Sequence, residues 1–494
     1  MNQKLISGAT LAALLVLVAL PLFFIVLQAI FPHFSAGSLS GAFSGVATLF
    51  ADPQLPAMLG GTLWIAGGVA LVSVAIGLPL GVLRGLFNLP LPRLWDLLFL
   101  IPFLTPPYIA ALSWMLVLQS NGYLQQLTGW DLNDLLFSRS GIVLVMALNI
   151  FPVVYFAVSR SLLASGQRLA IVARVHGASA WRAFWHITLP MLSPALAAGG
   201  GAGGRPRRLV GDKEVTSVTG KPGENSGATA GWFTVPALLL MATVAGLAVV
   251  LPVASTVVTS LMGTLSGGIG ADNFTFNHFI ALFNQQGDAL SALGTSLSLA
   301  LASALIVGLL GLVAAWLVLI QKIRGSAIID ALSLMPAALP GVVVGVGLIL
   351  LWNRPFWPVS PYNSWFMLLL SYCCLLLPWP VRYVGSALRQ LGNNLEPAAR
   401  VHGASPLQAL RLIVLPLVFP ALLAAMLMVF AVASRELVTS LLLAPAGTQT
   451  VAVFIWRQFE QGSAGQGMAM ATLTLLTGLT LMLSALALMQ RSAR

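Results

Sequence analysis

Ala173-Arg174-Val175-His176-Gly177-Ala178-Ser179 and Ala399-Arg400-Val401-His402-Gly403-Ala404-Ser405 are one heptapeptide, ARVHGAS, met twice at a spacing of 226 residues. A fixed-period match of this length points to an internal repeat, which must be placed before any motif is interpreted. The same shift carries Pro152 onto Pro378, Leu189-Pro190 onto Leu415-Pro416, and Pro194-Ala195-Leu196 onto Pro420-Ala421-Leu422. Upstream, a shift of 234 carries Asp96 onto Asp330, Pro102 onto Pro336 and Pro106 onto Pro340. The change of shift falls in a loop on the far side of the chain from the heptapeptide, where added length costs little. Two related halves are expected.

Composition says what the halves are made of. Of 494 residues, 58% are hydrophobic and 7% charged, against roughly 25% charged in an ordinary soluble domain. Apolar segments near 7–30, 59–83, 95–118, 140–159, 233–260, 293–320, 327–352, 364–386, 417–445 and 467–490 have about the 20-residue length a spanning helix needs. The expected fold class is an all-α polytopic membrane protein with about ten transmembrane helices in two parallel halves. The run from Leu11 to Ile30 exceeds a signal-peptide core and is expected to be an uncleaved first helix.

The net charge of +11 does not point to nucleic acid, because the basic residues are scattered between apolar runs without interleaved aromatics. Arg84 and Arg93, then Arg160, Arg168, Arg174 and Arg182, then Lys322 and Arg324, then Arg389, Arg400 and Arg411 occupy four hydrophilic turns. By the positive-inside rule these face the cytoplasm, which puts 161–191 and 387–416 inside.

The repeat divides the chain into a first half at 1–198, a linker at 199–231 and a second half at 232–494. Both halves begin inside, which implies a pseudo-twofold axis along the membrane normal. The first half is short by the counterparts of 423–490, two helices. In their place stands GGGAGGRPRRLVGDKEVTSVTGKPGENSG, a Gly-rich polar segment that reads as a cytoplasmic linker. Gly220-Lys221 is followed by Pro222 and lacks the leading glycine of a phosphate-binding loop. No cofactor and no bound metal is expected, and any ATP is expected on partner subunits.

In the second copy of the repeat, Leu395 to His402 can form a short helix that Gly403 ends in the left-handed conformation. Ser405 and Gln408 form an S-x-x-Q capping box, with Pro406 at the first helical position. Pro416 then closes the unit as the chain re-enters the membrane. Glu396-Pro397-Ala398-Ala399, Gly403 and Leu415-Pro416 resemble the EAA loop of binding-protein-dependent ABC importer permeases, whose general form is E-A-A, three residues, G and later I-x-L-P. The first copy keeps Ala173, Gly177 and Leu189-Pro190 and has Ala170-Ile171-Val172 where the glutamate belongs. The resemblance covers nearly all of the second half and residues 1–198 of the first, and a chain with two such halves is most similar to the fused permeases of ferric-iron and thiamine uptake.

That resemblance implies a non-enzymatic subunit of the bacterial inner membrane. Its partners would be two cytoplasmic ATPase subunits, an external (periplasmic) solute-binding protein and the lipid bilayer. The coupling loops would be 167–190 and 393–416, with Ala173, Arg174, Gly177, Ala178, Glu396, Ala399, Arg400, Gly403 and Ala404 at the ATPase contact. The alanines and glycines would leave a low surface for a partner's cleft, and Arg174 and Arg400 would reach its rim.

Polar or helix-breaking residues inside spans mark pathway candidates, here Pro106, Pro340 and Glu436. Asp96 and Asp330 begin matched spans, where a carboxylate suits the helix dipole. Cys373 and Cys374 are expected as core residues, and His176 and His402 stand without metal-ligand partners. An ion-coupled secondary transporter would also carry repeats, but it needs ionisable or amide groups deep in its spans, and these are nearly absent. An inactive remnant with a truncated first half is the other alternative.

Overall fold

Helices with no water along most of their length must satisfy every backbone polar group internally, and in the computed structural model the apolar segments do fold as helices. It describes residues 3–163, 231–284, 288–355, 357–391 and 395–492. We number the principal helices α1 (Lys4–Ile30), α2 (Leu55–Leu86), α3 (Pro92–Leu104), α4 (Pro107–Leu118), α5 (Arg139–Ser161), α6 (Thr234–Leu261) and α7 (Asp288–Leu319). The series continues with α8 (Ser326–Leu334), α9 (Gly341–Trp352), α10 (Trp365–Leu376), α11 (Pro378–Gln390), α12 (Leu395–Val401), α13 (Pro406–Ala433), α14 (Val438–Leu443), α15 (Val451–Glu460) and α16 (Ala464–Ser492).

Among the described residues six helices are long and apolar enough to cross a membrane, and nine spans result if each of three bent helix pairs is one span. The tenth expected segment, 467–490, lies on the 29-residue helix α16. No strand occurs among the described residues, and an isolated bridge joins Met262 to Phe274. The chain is an all-α polytopic membrane protein.

Proline accompanies several of the places where these helices depart from regularity. It lacks an N–H and its ring collides with the carbonyl four residues back. Three helices meet this with a five-residue π turn placed just before a Leu-Pro pair: Leu15–Ala19 before Leu20-Pro21, Gly246–Val250 before Leu251-Pro252, and Leu410–Val414 before Leu415-Pro416. The wider turn moves the obstructing carbonyl aside and lets the helix continue. Hence Pro416 does not close the loop unit, as its position suggested. The helix that begins at Pro406 runs through it to Ala433 as one span.

The chain forms two compact units, residues 1–55 with 275–494, and residues 56–274. These cut the chain differently from the repeat division into 1–198, 199–231 and 232–494, because each unit takes its leading helix from the other half. In the first unit α1 packs on α9, and its Leu14, Leu17 and Val18 join a core that includes the fully buried Trp316 and Tyr372. Cys373 and Cys374 are buried in the same core, as free thiols.

In the second unit α6 packs on α4, joined by hydroxyls. Ser113 and Thr256 share a hydrogen bond of 2.9 Å, Ser255 donates to the Ser113 carbonyl at 3.2 Å, and Tyr123 meets Thr259. Such bonds hold helices together where apolar attraction between them is weak. Hydropathy counts spans and carries no information on which span pairs with which.

Within the second unit, α2 meets α5 along Gly77, Gly81 and Gly85, one face at four-residue spacing. At its end Arg84 makes a bidentate ion pair with Asp96 of α3, at 3.1 and 2.8 Å, and the Tyr155 hydroxyl of α5 donates to the same carboxylate at 2.7 Å. Asp96 therefore clamps three helices together, a larger role than the dipole partner expected for it. The two charged side chains are only 15% and 18% exposed, so removing one strands the other in poor solvent. Arg84→Met is expected to destabilise the unit by about 2 kcal/mol, and adding Asp96→Asn should recover part of the loss. Thermal midpoints of the purified single and double variants form the cycle that checks this.

Candidate functional site

The repeated segment at 395–408 builds its shape locally. Helix α12 ends in a Schellman motif: the Gly403 N–H donates to the Arg400 carbonyl at 2.9 Å and the Ala404 N–H to the Ala399 carbonyl at 3.0 Å. The motif needs a left-handed residue, and Gly403 has φ +85°, a conformation other residues adopt at a cost of roughly 1–2 kcal/mol. Two residues on, Ser405 caps the next helix. Its hydroxyl accepts from the Gln408 N–H at 3.3 Å, and the Gln408 side chain accepts from the Ser405 N–H at 2.8 Å. Helix, turn and capping box follow the sequence expectation.

The orientation of the side chains was not legible. Ala399 is buried against the chain itself. Arg400 donates to Gln321, just past the end of α7, at 2.7 Å, so it tethers the loop to its own half. The opposite side carries Val401, 86% exposed, with His402 and Gly403 beside it. His402 Nδ1 lies 2.9 Å from the Ala398 carbonyl. Val401 is thus the apolar tip of an anchored knob. Its sequence signal was an aliphatic residue between Arg and His in a hydrophilic turn, repeated as Val175.

Glu396 falls in the first turn of α12. Counted back from Gly403, the E-A-A spacing puts the glutamate position at Pro397, so Glu396 stands one residue early. The first loop, 167–190 with Ala173, Arg174, Gly177 and Ala178, lies outside the described residues.

The broken spans form the second candidate region. Helix α3 and the segment Pro107–Thr128 meet at 95°, and Ser326–Ala338 meets α9 at 117°. Pro106 and Pro340 are the residues that enter α4 and α9, so the matched prolines do break the third span of each half. Pro106 is buried and Pro340 exposed. In the first break Asn149 of α5 donates to the Pro102 carbonyl at 3.1 Å, the kind of repair an interrupted helix requires. That residue was missed, although an amide inside the apolar segment 140–159 marked it.

Glu436 lies in the break after α13, which ends at Ala433 and not near 445, because Ser434 to Leu437 interrupts the helix before α14. Its carboxylate accepts from the Thr439 N–H at 3.2 Å, and its backbone carbonyl accepts from Ser440 at 2.6 Å. The buried Tyr372 hydroxyl bonds Ser440 at 2.6 Å. Because α14 packs on α9, the Pro340 break and the Glu436 loop are neighbours within one unit.

The family model for the binding-protein-dependent transport system inner membrane component matches residues 77–202 and again 308–494. The ferric transport system permease protein FbpB of Actinobacillus pleuropneumoniae is 22% identical, over 98% of this chain and 78% of its own length. The putrescine transport system permease protein PotI of Escherichia coli (strain K12) is 28% identical, over 38% of this chain and 67% of its own. A crystallised bacterial ABC transporter involved in the import of the acidic polysaccharide alginate is 17% identical, with a TM-score of 0.43 over 53% of this chain and 96% of its own. Matched twice by a model that together spans well over half of its length, the chain belongs to the family of binding-protein-dependent transport system inner membrane components, and is a transport permease and not an enzyme.

Proposed function

We propose that this permease is the bacterial inner-membrane subunit of an ATP-driven importer, in which a solute handed over by a periplasmic binding protein passes between the halves 1–198 and 232–494. Two cytoplasmic ATPase subunits dock on 167–190 and 393–416, and their closure rocks the halves. The observation that carries the reading is the knob at Leu395–Gln408, its turn fixed by a Schellman motif and a Ser405–Gln408 capping box, tied back through Arg400 to Gln321, and presenting an exposed valine. A lever must be stiff to pass a rigid-body motion on, and a protein-binding tip needs apolar area surrounded by polar groups.

Pro340 and Glu436 are the residues we assign to the pathway. An exposed break in a span and a carboxylate held by a helix start provide the irregular polar backbone that membrane proteins keep beside cavities. Pro106, buried in its unit, serves that pathway by setting the break. The whole-length similarity to a ferric permease makes iron the cargo to test first.

The test is co-purification of the full chain with a candidate partner ATPase from the same cell, followed by reconstitution with the binding protein. ATP-dependent uptake of radioactive iron is expected, with hydrolysis stimulated by loaded binding protein. Solute exchange that runs without nucleotide would overturn the reading in favour of a secondary transporter.

A further inference from the structure

The two halves treat one matched carboxylate in opposite ways. Asp96 is held by Arg84 and Tyr155. The shifts that align the halves carry Arg84 onto Val318 and Tyr155 onto Val381. Asp330, the counterpart of Asp96, therefore lacks both donors at once. Val318 and Val381 leave part of their space open as a cleft of about 80 Å³, bordered by Asp330, Arg382 and Arg389.

The two arginines replace Phe156 and Leu163 of the first half, while Arg84 and Arg160 give way to Val318 and Ser386, so the cations stand at new positions beside a carboxylate that lacks its clamp. They sit seven residues apart on α11, about 10 Å along one face. Both are exposed and Asp330 is half-buried. Among the described residues neither arginine closes on Asp330 as an ion pair.

Ionisable side chains within spans are costly enough to expect a partner. Arg389 is the penultimate residue of α11, the helix that leads into the coupling loop, so the cleft opens at the loop's side of the membrane. Lys322 and Arg324 lie in the turn between α7 and α8. Cationic pockets between helices on that side suit lipid phosphate.

We propose that the cleft between α7, α8 and α11 holds the headgroup of an inner-leaflet phospholipid. Arg382 and Arg389 bind the phosphodiester, and Asp330 accepts from the ammonium or hydroxyl at the headgroup's far end. The leaflet assignment rests on the orientation given under the proposed function, whereas the binding itself does not.

The purified full chain, stripped of lipid in detergent, is offered phosphatidylethanolamine, phosphatidylglycerol or phosphatidylcholine, and the retained lipid is read by native mass spectrometry. Retention of the first two over phosphatidylcholine is expected. Each of R382Q and R389Q should reduce it about fivefold, and D330N should remove the preference over phosphatidylcholine. The lipid-free thermal midpoint of the exposed arginine variants should match the unsubstituted chain, which separates loss of the site from loss of fold. Equal retention of all three lipids, or retention unchanged in both arginine variants, overturns the proposal. So does displacement of the lipid by millimolar inorganic phosphate, which would make the cleft a site for a soluble anion. Loss of ATP-driven uptake with lipid retention intact would bear on the proposed function alone.

Discussion

Val401→Glu is expected to abolish ATP-driven uptake while leaving the permease folded. The side chain is 86% exposed, so the substitution removes almost no internal packing, and the thermal midpoint should stay within the scatter of ordinary surface changes. At a docked ATPase the same position would be a desolvated apolar contact. Truncating such a central contact costs on the order of 2 kcal/mol or more, and a buried carboxylate without a partner adds to it. At least a thirtyfold weaker association is expected, on the order of 2 kcal/mol at 1.4 kcal/mol per decade, read as loss of the ATPase from the complex on affinity purification. Full retention of ATPase and of uptake would sink the docking assignment.

A pair of substitutions at the neighbouring glycine separates shape from contact. Gly403 has open space where a β-carbon would stand, so any effect of a side chain there comes from φ +85° or from the partner. Asparagine tolerates the left-handed conformation far better than valine. If Gly403→Asn keeps the ATPase and Gly403→Val loses it, the turn itself is required. If both lose it, the partner lies directly over the glycine.

What could be read from the residues alone was what is local in sequence. The knob was legible because a glycine, a Ser-Pro pair and a glutamine three residues past the serine specify its backbone within a dozen positions. The spans were legible because apolar runs of sufficient length have few other uses, and the third-span breaks because two prolines sit in matched places. Illegible were the features that join distant segments. Arg400 meets Gln321 across 79 residues and Tyr155 meets Asp96 across 59, and nothing in either neighbourhood announces the other. The placement of α1 with the second half follows from packing, on which composition is silent. The run of α13 through Pro416 depended on a π turn, an adjustment that accompanies Pro416 and not Pro420 of the same helix, so the presence of a proline alone does not foretell it.

Gly81→Leu is expected to disable the unit at 56–274 before any question of transport arises. A β-carbon at Gly81 would lie 2.8 Å from Val158 Cβ and 3.0 Å from the Tyr155 carbonyl, and Gly77 and Gly85 are as tight against Val154 and Leu162. Backbone cannot rotate away as a side chain can, so α2 would have to leave α5. That separation would also pull Arg84, three residues on, from Asp96 and Tyr155, so lost packing and a broken ion pair fall together. Overpacking of this kind costs about 3 kcal/mol, and on the order of 10 °C in thermal midpoint for a unit of this size. Gly67, earlier on the same helix, has nothing within 4 Å of its virtual β-carbon. Gly67→Leu should therefore leave the midpoint near that of the unsubstituted chain, since leucine is the better helix former and the position is open. Size-exclusion profiles of the two variants after graded heating decide the matter. If Gly81→Leu survives heating as well as Gly67→Leu, the close approach of α2 to α5 is not what holds this unit together.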